Sequence, residues 1–337
     1  MTTCTRRGIV FCIDSAGCLQ SMENTRLFRA NVSIPSILPS GEKIKSIGPN
    51  FCKGKYGTIR ISDEIRDIRI RAFSESNVKE VVWSMSCCEI PAYCFFRSCV
   101  KKIHNIACVS SVGPNAFAHT HIRRLCWPYV CFSIPQSCFE FSDICLLENI
   151  DHVRNVEKYA FSFTKNLRCL EWPSHCKTIP KSCFWGSCVE EINGLNVVEY
   201  VEDCAFAFTK NFNKFTWPSG CSKIPKNCFQ QSSLQHIENI EHITSIEDGA
   251  FSESQIRYFV WPSACQVVPT RCFYHSCLGE ITGLSSISAI QSEAFSFISN
   301  DVIIDLSNSF TLNISSSAFE GTNDQNIALP YYLQEND

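Results

Sequence analysis

Five pairs of cysteines recur along the chain at one separation of seven residues: Cys87 with Cys94, Cys131 with Cys138, Cys176 with Cys183, Cys221 with Cys228, and Cys265 with Cys272. Paired thiols can close a disulfide, help to hold zinc, or supply a nucleophile when a base stands near. Zinc ligands usually come in tighter pairs, about two to four residues apart, and the histidines here do not keep register with the cysteines. Which chemistry applies depends on the elements that carry the pairs, and those elements repeat.

Phenylalanine recurs at intervals of 22 or 23 residues, as Phe51, Phe73, Phe95, Phe117, Phe139, Phe161, Phe184, Phe206, Phe229, Phe251, Phe273 and Phe295, and after a step of 24 as Phe319. Such a period is too short for two helices and suits one strand plus one return segment, the unit of a stacked solenoid. The residue before the Phe alternates between Ala and Cys, as in Ala160 and Cys183, so the full unit is a pair of coils. A second alternation gives Trp83, Asn105, Trp127, Asn149, Trp172, Gly194, Trp217, Asn239, Trp261 and Gly283. Five and two positions before that column stand apolar residues, for example Leu167 and Leu170, or Leu234 and Ile237. Apolar-x-x-apolar-x-[Trp, Asn or Gly] predicts a strand in each coil, one set of side chains inward and the other toward solvent.

These columns assign most of the cysteines. In the alternate coils the first Cys position holds Val109, Val153, Val198, Ile243 and Ile287, and the second holds Ala. Both positions therefore read as small or aliphatic interior, where a free thiol behaves as a small hydrophobe. Like positions two coils apart are separated by about 9 to 10 Å, too far for a disulfide. Bridges within a coil stay open, subject to the redox compartment. The five tryptophans are read as inward-facing, with Asn or Gly in the neighbouring coils leaving room for the indole; an exposed stripe for stacking a carbohydrate or peptide is the alternative.

The pattern resembles the BspA-like leucine-rich repeat, on the strength of Val112-Gly113-Pro114-Asn115-Ala116-Phe117 and of Phe184 followed by Cys188, over about residues 40 to 330. The resemblance implies an α/β-type leucine-rich repeat solenoid of about 12 to 13 coils with a parallel sheet on its concave face. Residues 1–40 are expected to form an N-terminal cap or imperfect first turn, 41–324 the solenoid, and 325–337 a C-terminal cap. The family occurs on bacterial surface proteins and in protozoan parasites, which implies adhesion to host proteins or cells.

A formal net charge of -3 argues against nucleic acid as the partner. No apolar stretch is long enough to span a membrane, and Arg6-Arg7 precede only the short run Gly8 to Ile13, so no secretory signal is expected. That points to the cytoplasm, whereas the resemblance points to the cell surface. The chain has no phosphate loop, nucleophile elbow, HExxH pair or kinase signature, and is read as a non-enzyme without cofactor or metal.

The solvent-facing strand positions are where residue type varies, and they form the candidate partner-binding face: Lys79, Lys101, Lys102, His104, Arg123, Arg124, Glu148, Arg168, Glu171, Glu190, Glu191, Lys214, His236 and Tyr258. Cations gather in the earlier coils and carboxylates follow. Such segregation suits steering of a protein partner. An adhesive module and an intracellular scaffold are the two readings carried forward, with a self-associating array as a third.

Overall fold

The computed structural model describes residues 1–25, 28–298, 302–309 and 312–334 of the 337. The last part of the expected C-terminal cap, residues 335–337, lies outside the described residues. The chain divides into two compact units, residues 1–175 and 176–337.

The first unit begins with an antiparallel meander, Thr2–Arg6, Ile9–Ile13 and Cys18–Asn24. Phe11 and Ile13 point inward from its middle strand. The last of these strands switches to parallel pairing, with Ser46–Ile47 and Cys52–Lys53. From there pairing is parallel: Ala30–Ile34, Lys55–Ile61, Asn77–Val82 and Lys102–His104 form one sheet, and Arg124–Cys126 pairs with Leu146–Glu148. In the second unit Lys214–Thr216, His236–Glu238, Tyr258–Val260 and Glu280–Thr282 form a four-stranded sheet of the same kind. Register follows the sequence period, Leu125 facing Leu147 and Phe215 facing Ile237. A slip by one residue would turn the apolar columns to solvent, so burial itself sets the register.

Parallel strands need a crossover, and helices are the usual solution. The solenoid of parallel ladders stands, but the α/β description holds only loosely, because the return segments contain almost no helix. Among the described residues there is one short α-helix, Tyr331–Gln334, and 3-10 turns such as Ile106–Cys108, Leu195–Val197 and Leu284–Ser286. The return runs instead through two-residue strands that build a second parallel ladder, as Glu89–Ile90 with Ser111–Val112, or Lys223–Ile224 with Ser245–Ile246. A third ladder passes through the phenylalanines, where the Phe95 N–H donates to the Ala116 carbonyl at 2.9 Å and the Phe117 N–H to Cys138 at 3.1 Å.

From Phe73 to Phe295 each phenylalanine of the column is flanked, two residues before and two after, by left-handed residues, and this excludes helix. Tyr93 and Arg97 around Phe95 have φ of 56° and 54°; Ser137 and Phe141 around Phe139 have 53° and 54°. A side chain with a Cβ is disfavoured there by about 1 kcal/mol or more. The bend aims the N–H groups on either side of each Phe at the next coil, so Glu75 and Arg97 donate to Phe96 and Ala118 at 2.8 and 3.1 Å. Left-handed geometry also gives the Asn and Gly between the tryptophans a backbone role. Asn105, Asn149, Gly194, Asn239 and Gly283 all have positive φ, from 60° to 83°, at the corner where the strand ends. Asn tolerates that region because its short amide bonds locally. The Asn149 and Asn239 amides donate to the carbonyls of Trp127 and Trp217, both at 2.7 Å. A Cβ at Gly283 would lie 2.7 Å from the Trp261 carbonyl oxygen.

The core follows the columns. Phe51 to Phe161 in the first unit are fully buried, as are Phe184 to Phe295 in the second. Neighbouring rings stack, for example Phe139 on Phe161 at 5.8 Å and Phe229 on Phe251 at 5.6 Å. All five repeat tryptophans are at most 3% exposed, which settles them as interior. The indole N–H groups of Trp83, Trp127, Trp217 and Trp261 donate to the carbonyl four residues on, from 3.1 Å for Trp83 to Cys87 down to 2.7 Å for Trp261 to Cys265. One interior column escaped the sequence reading: three residues after the Phe stands Ser or Thr, such as Thr120, Thr164, Thr209 and Ser254, all buried. Their hydroxyls donate to the Phe carbonyl behind, at 2.7 to 2.9 Å.

Candidate functional site

The cysteine pairs were the first candidates for chemistry, and the fold buries them. All 23 cysteines are free thiols, and both members of all five pairs are buried. Desolvation lifts the thiols of Cys94, Cys138, Cys228 and Cys272 well above the ordinary range, and pushes Cys221 up to about 12 and Cys265 up to about 11. Thiols of this kind are inert, since the thiolate is the nucleophile. With folded values raised, the neutral thiols contribute stability that is fully present below the ordinary thiol range near 9.0 and is lost as the pH climbs toward 11 and 12. Titration of the native protein with a thiol-reactive disulfide at pH 8 is expected to modify the exposed Cys88, Cys126, Cys169 and Cys277 rapidly, and the paired cysteines only after unfolding. Rapid native modification of Cys138 or Cys228, read by peptide mass mapping, would contradict this placement. Among the described residues no three His, Cys, Asp or Glu side chains are grouped to hold a metal ion.

Each residue of the candidate face stands on a strand, or just before one, with its side chain partly or fully in solvent. In the first unit Lys79, Lys101 and Arg123 occupy one column, while Glu80, Lys102 and Arg124 occupy the next in register, Lys102 facing Glu80. These cations line a shallow groove with His121, Asp143 and Asn166. Its carboxylates are engaged. Glu80 bonds His104 Nε2 at 3.2 Å, Asp143 bonds His121 Nδ1 at 2.7 Å, and Glu148 lies 3.6 Å from Arg124. Lys79, Lys101, Lys102 and Arg123 have no ion-pair partner among the described residues. Arg168 and Glu171, exposed, complete the predicted residues of this unit.

The face of the second unit is closer to neutral. Glu190, Glu191 and Lys214 line one hollow with Asn193, Thr216 and Asn239. Lys214 Nζ lies 2.7 Å from Glu238, and that hydrogen bond holds the Glu238 carboxyl below its usual range. His236 stacks on Tyr258, with rings 5.5 Å apart and nearly parallel. Beyond the sheet the same habit of pairing across coils continues, with Lys177 to Glu199 at 2.6 Å and Arg271 to Glu293 at 2.8 Å. Exposed pairs of this kind contribute little stability each, about 0 to 1 kcal/mol.

A second exposed feature of the first unit was missed. Tyr129, Val130 and Phe132 are 70%, 47% and 48% exposed on the loop that follows Trp127-Pro128. Their loop is held from behind. His152 Nε2 lies 3.0 and 3.2 Å from the Pro128 and Cys131 carbonyls, its ring 6.1 Å from Tyr129 and 5.8 Å from Phe132, and the Arg154 guanidinium covers Phe132 at 5.1 Å. A signal was available in the repeat itself: three of the four corresponding coils read Trp172-Pro173-Ser174, Trp217-Pro218-Ser219 and Trp261-Pro262-Ser263, polar where this one is aromatic.

Comparison with known proteins agrees with the architecture. The family model described as a BspA type leucine rich repeat region matches residues 24–145, 154–279 and 266–336. Among solved structures, a leucine-rich repeat protein from Bacteroides ovatus superposes with a TM-score of 0.73 at 18% identity, over 94% of this chain and 91% of that one. A leucine rich cell surface protein from Faecalibacterium prausnitzii gives 0.53 at 18% identity, over 96% and 98%. No curated protein matches the sequence significantly. At these identities the structures speak for the fold alone, while the repeat match spans most of the chain: this protein belongs to the BspA-type leucine-rich repeat family.

Proposed function

We propose that the chain is a protein-binding module that engages its partner through the solvent-facing columns of its parallel strands. The observation that supports this reading is the contrast between columns: inward positions keep apolar type from coil to coil, whereas outward positions change type and, in the first unit, leave four cations without ion-pair partners. Repeat proteins commonly bind through such extended faces. Replacing Lys101, Arg123 and Arg124 by Glu is expected to abolish capture of a protein partner while leaving the melting temperature unchanged or slightly raised. Unchanged capture would remove the strand face from consideration.

Membership of the repeat family supports a finer reading, adhesion to host proteins or cells, in which the chain is displayed outside the cell. Chemical labelling of intact cells decides it. Modification of the chain before lysis supports adhesion, whereas modification only after lysis favours an intracellular scaffold.

A further inference from the structure

We propose that the first unit binds an acidic peptide segment with an apolar anchor, its carboxylates lying against Lys79, Lys101, Lys102 and Arg123 and its anchor against Tyr129 and Phe132. The proposal rests on the protein-binding reading above and names the chemistry of the partner.

Stacking of like charge carries the first half. Lys79, Lys101 and Arg123 stand in one column of successive coils, about 4.8 Å apart, and like charges so placed repel. Elsewhere the chain avoids this by pairing, as in Lys177 with Glu199, Lys214 with Glu238, Lys223 with Glu247 and Arg271 with Glu293. Here the neighbouring carboxylates are committed to other groups, Glu80 to His104, Asp143 to His121 and Glu148 to Arg124. What distinguishes these four is their stacking in neighbouring columns of successive coils with no carboxylate among the described residues to offset them, which is the expected state of a site awaiting an anion.

The second half comes from the coil that bears Arg123 and Arg124. It continues past the buried Trp127 and Pro128 into Tyr129, Val130 and Phe132, exposed aromatic and aliphatic groups; the Tyr129 position is serine in three sister coils, at Ser174, Ser219 and Ser263, and the Phe132 position is polar there, as Lys177, Ser222 and Gln266. The His152 contacts fix the loop before any partner arrives, so little ordering is required on binding. Arg124 and Tyr129 are five residues apart, at most about 17 Å of extended chain, a span that a short peptide covers. A sulfated polysaccharide would use the cations but has no need of an apolar anchor at Tyr129 and Phe132. Charge and apolar surface together favour a peptide.

The test uses the full chain and fluorescence anisotropy with two labelled peptides, a run of aspartates followed by Gly-Ser and then Phe-Leu, and the same peptide ending in Ser-Ser; dextran sulfate serves as the non-peptide polyanion. The Phe-Leu peptide is expected to bind about tenfold more tightly than the Ser-Ser peptide, and both to weaken as salt rises. Lys101→Gln with Arg123→Gln removes binding of both peptides with the melting temperature maintained. Tyr129→Ser with Phe132→Ser brings the Phe-Leu peptide down to the Ser-Ser level and leaves dextran sulfate unaffected. Absence of peptide binding at low salt, equal affinity for the two peptides, or dextran sulfate binding more tightly than either peptide each overturns the proposal, the last in favour of a sulfated polysaccharide. If the peptides fail while the charge-reversed variant still loses its protein partner, the partner chemistry is wrong and the binding face stands; if capture too is unaffected, both readings fall.

Discussion

Phe139→Ala is expected to lower the free energy of unfolding by about 3 to 5 kcal/mol, read from urea denaturation followed by circular dichroism. The ring is fully buried and lies between Phe117 at 5.7 Å and Phe161 at 5.8 Å, with Trp127 at 5.9 Å. Truncation removes its burial and leaves a void between coils. Little can move to fill that void, because the backbone on both sides is tied to the neighbouring coils: Phe139 N–H donates to Ala160, and Phe117 N–H to Cys138. Phe141, two residues on, provides the contrast. It also stacks, on Phe163 at 4.3 Å, but is 40% exposed. Its replacement by Ala is expected to cost about 1 kcal/mol, since aromatic pairing beyond area is worth roughly that much and most of the remaining surface is already wet. Equal effects at the two positions would mean that the interior ladder is not what stabilises the coils.

Trp217→Ala is expected to cost about as much as Phe139→Ala, roughly 3 to 5 kcal/mol in the same measurement. The indole is fully buried, in edge contact with Phe215 and Phe229 at 6.0 Å. Its N–H donates to the Cys221 carbonyl at 2.8 Å. Trp217→Phe keeps most of the apolar contact and separates the polar part. At this site the loss stays small, because the imidazole of His242 also lies 3.1 Å from the same carbonyl and can satisfy it. Among the described residues the equivalent carbonyl of Cys87 has only the weak thiol of Cys108 at 3.8 Å besides the Trp83 indole. Trp83→Phe is therefore expected to cost about 1 kcal/mol more than Trp217→Phe, the penalty for stranding a buried acceptor. Identical losses would show that the indole acts by volume alone.

The interior was legible in the sequence to an unusual depth because each coil repeats the same burial. Phe139, Trp217, Cys228 and Leu167 sit in columns whose type is preserved, and each is in the core. The solvent columns were legible for the complementary reason: Lys101, Glu191 and Tyr258 belong to positions that change from coil to coil, and each is exposed. The Ser and Thr column was harder to see, since hydroxyl residues suggest surface; Thr120, Thr164, Thr209 and Ser254 bond back to the Phe carbonyl, while Ser76, Ser98, Ser142, Ser187, Ser232 and Ser276 are buried without a partner for the hydroxyl among the described residues. Tyr129 and Phe132 were hidden because a loop position has no burial period, so a single aromatic there belongs to no column.

By itself the sequence determined the coil length, the strand in each coil and the choice of inward residues, because the hydrophobic effect reads composition and spacing and both recur. Tertiary structure alone decided three things. The return became two-residue strands and left-handed corners instead of helix, since Tyr93, Ser137 and Phe141 carry no sign of positive φ and are held there by hydrogen bonds to the next coil. Asn149 and Gly283 proved to sit at left-handed corners where the strand ends. Finally, the cations of Lys214 and Arg271 were neutralised and those of Lys79, Lys101, Lys102 and Arg123 were not, because an ion pair depends on which carboxylate the neighbouring coil brings within reach, a distance that composition does not contain.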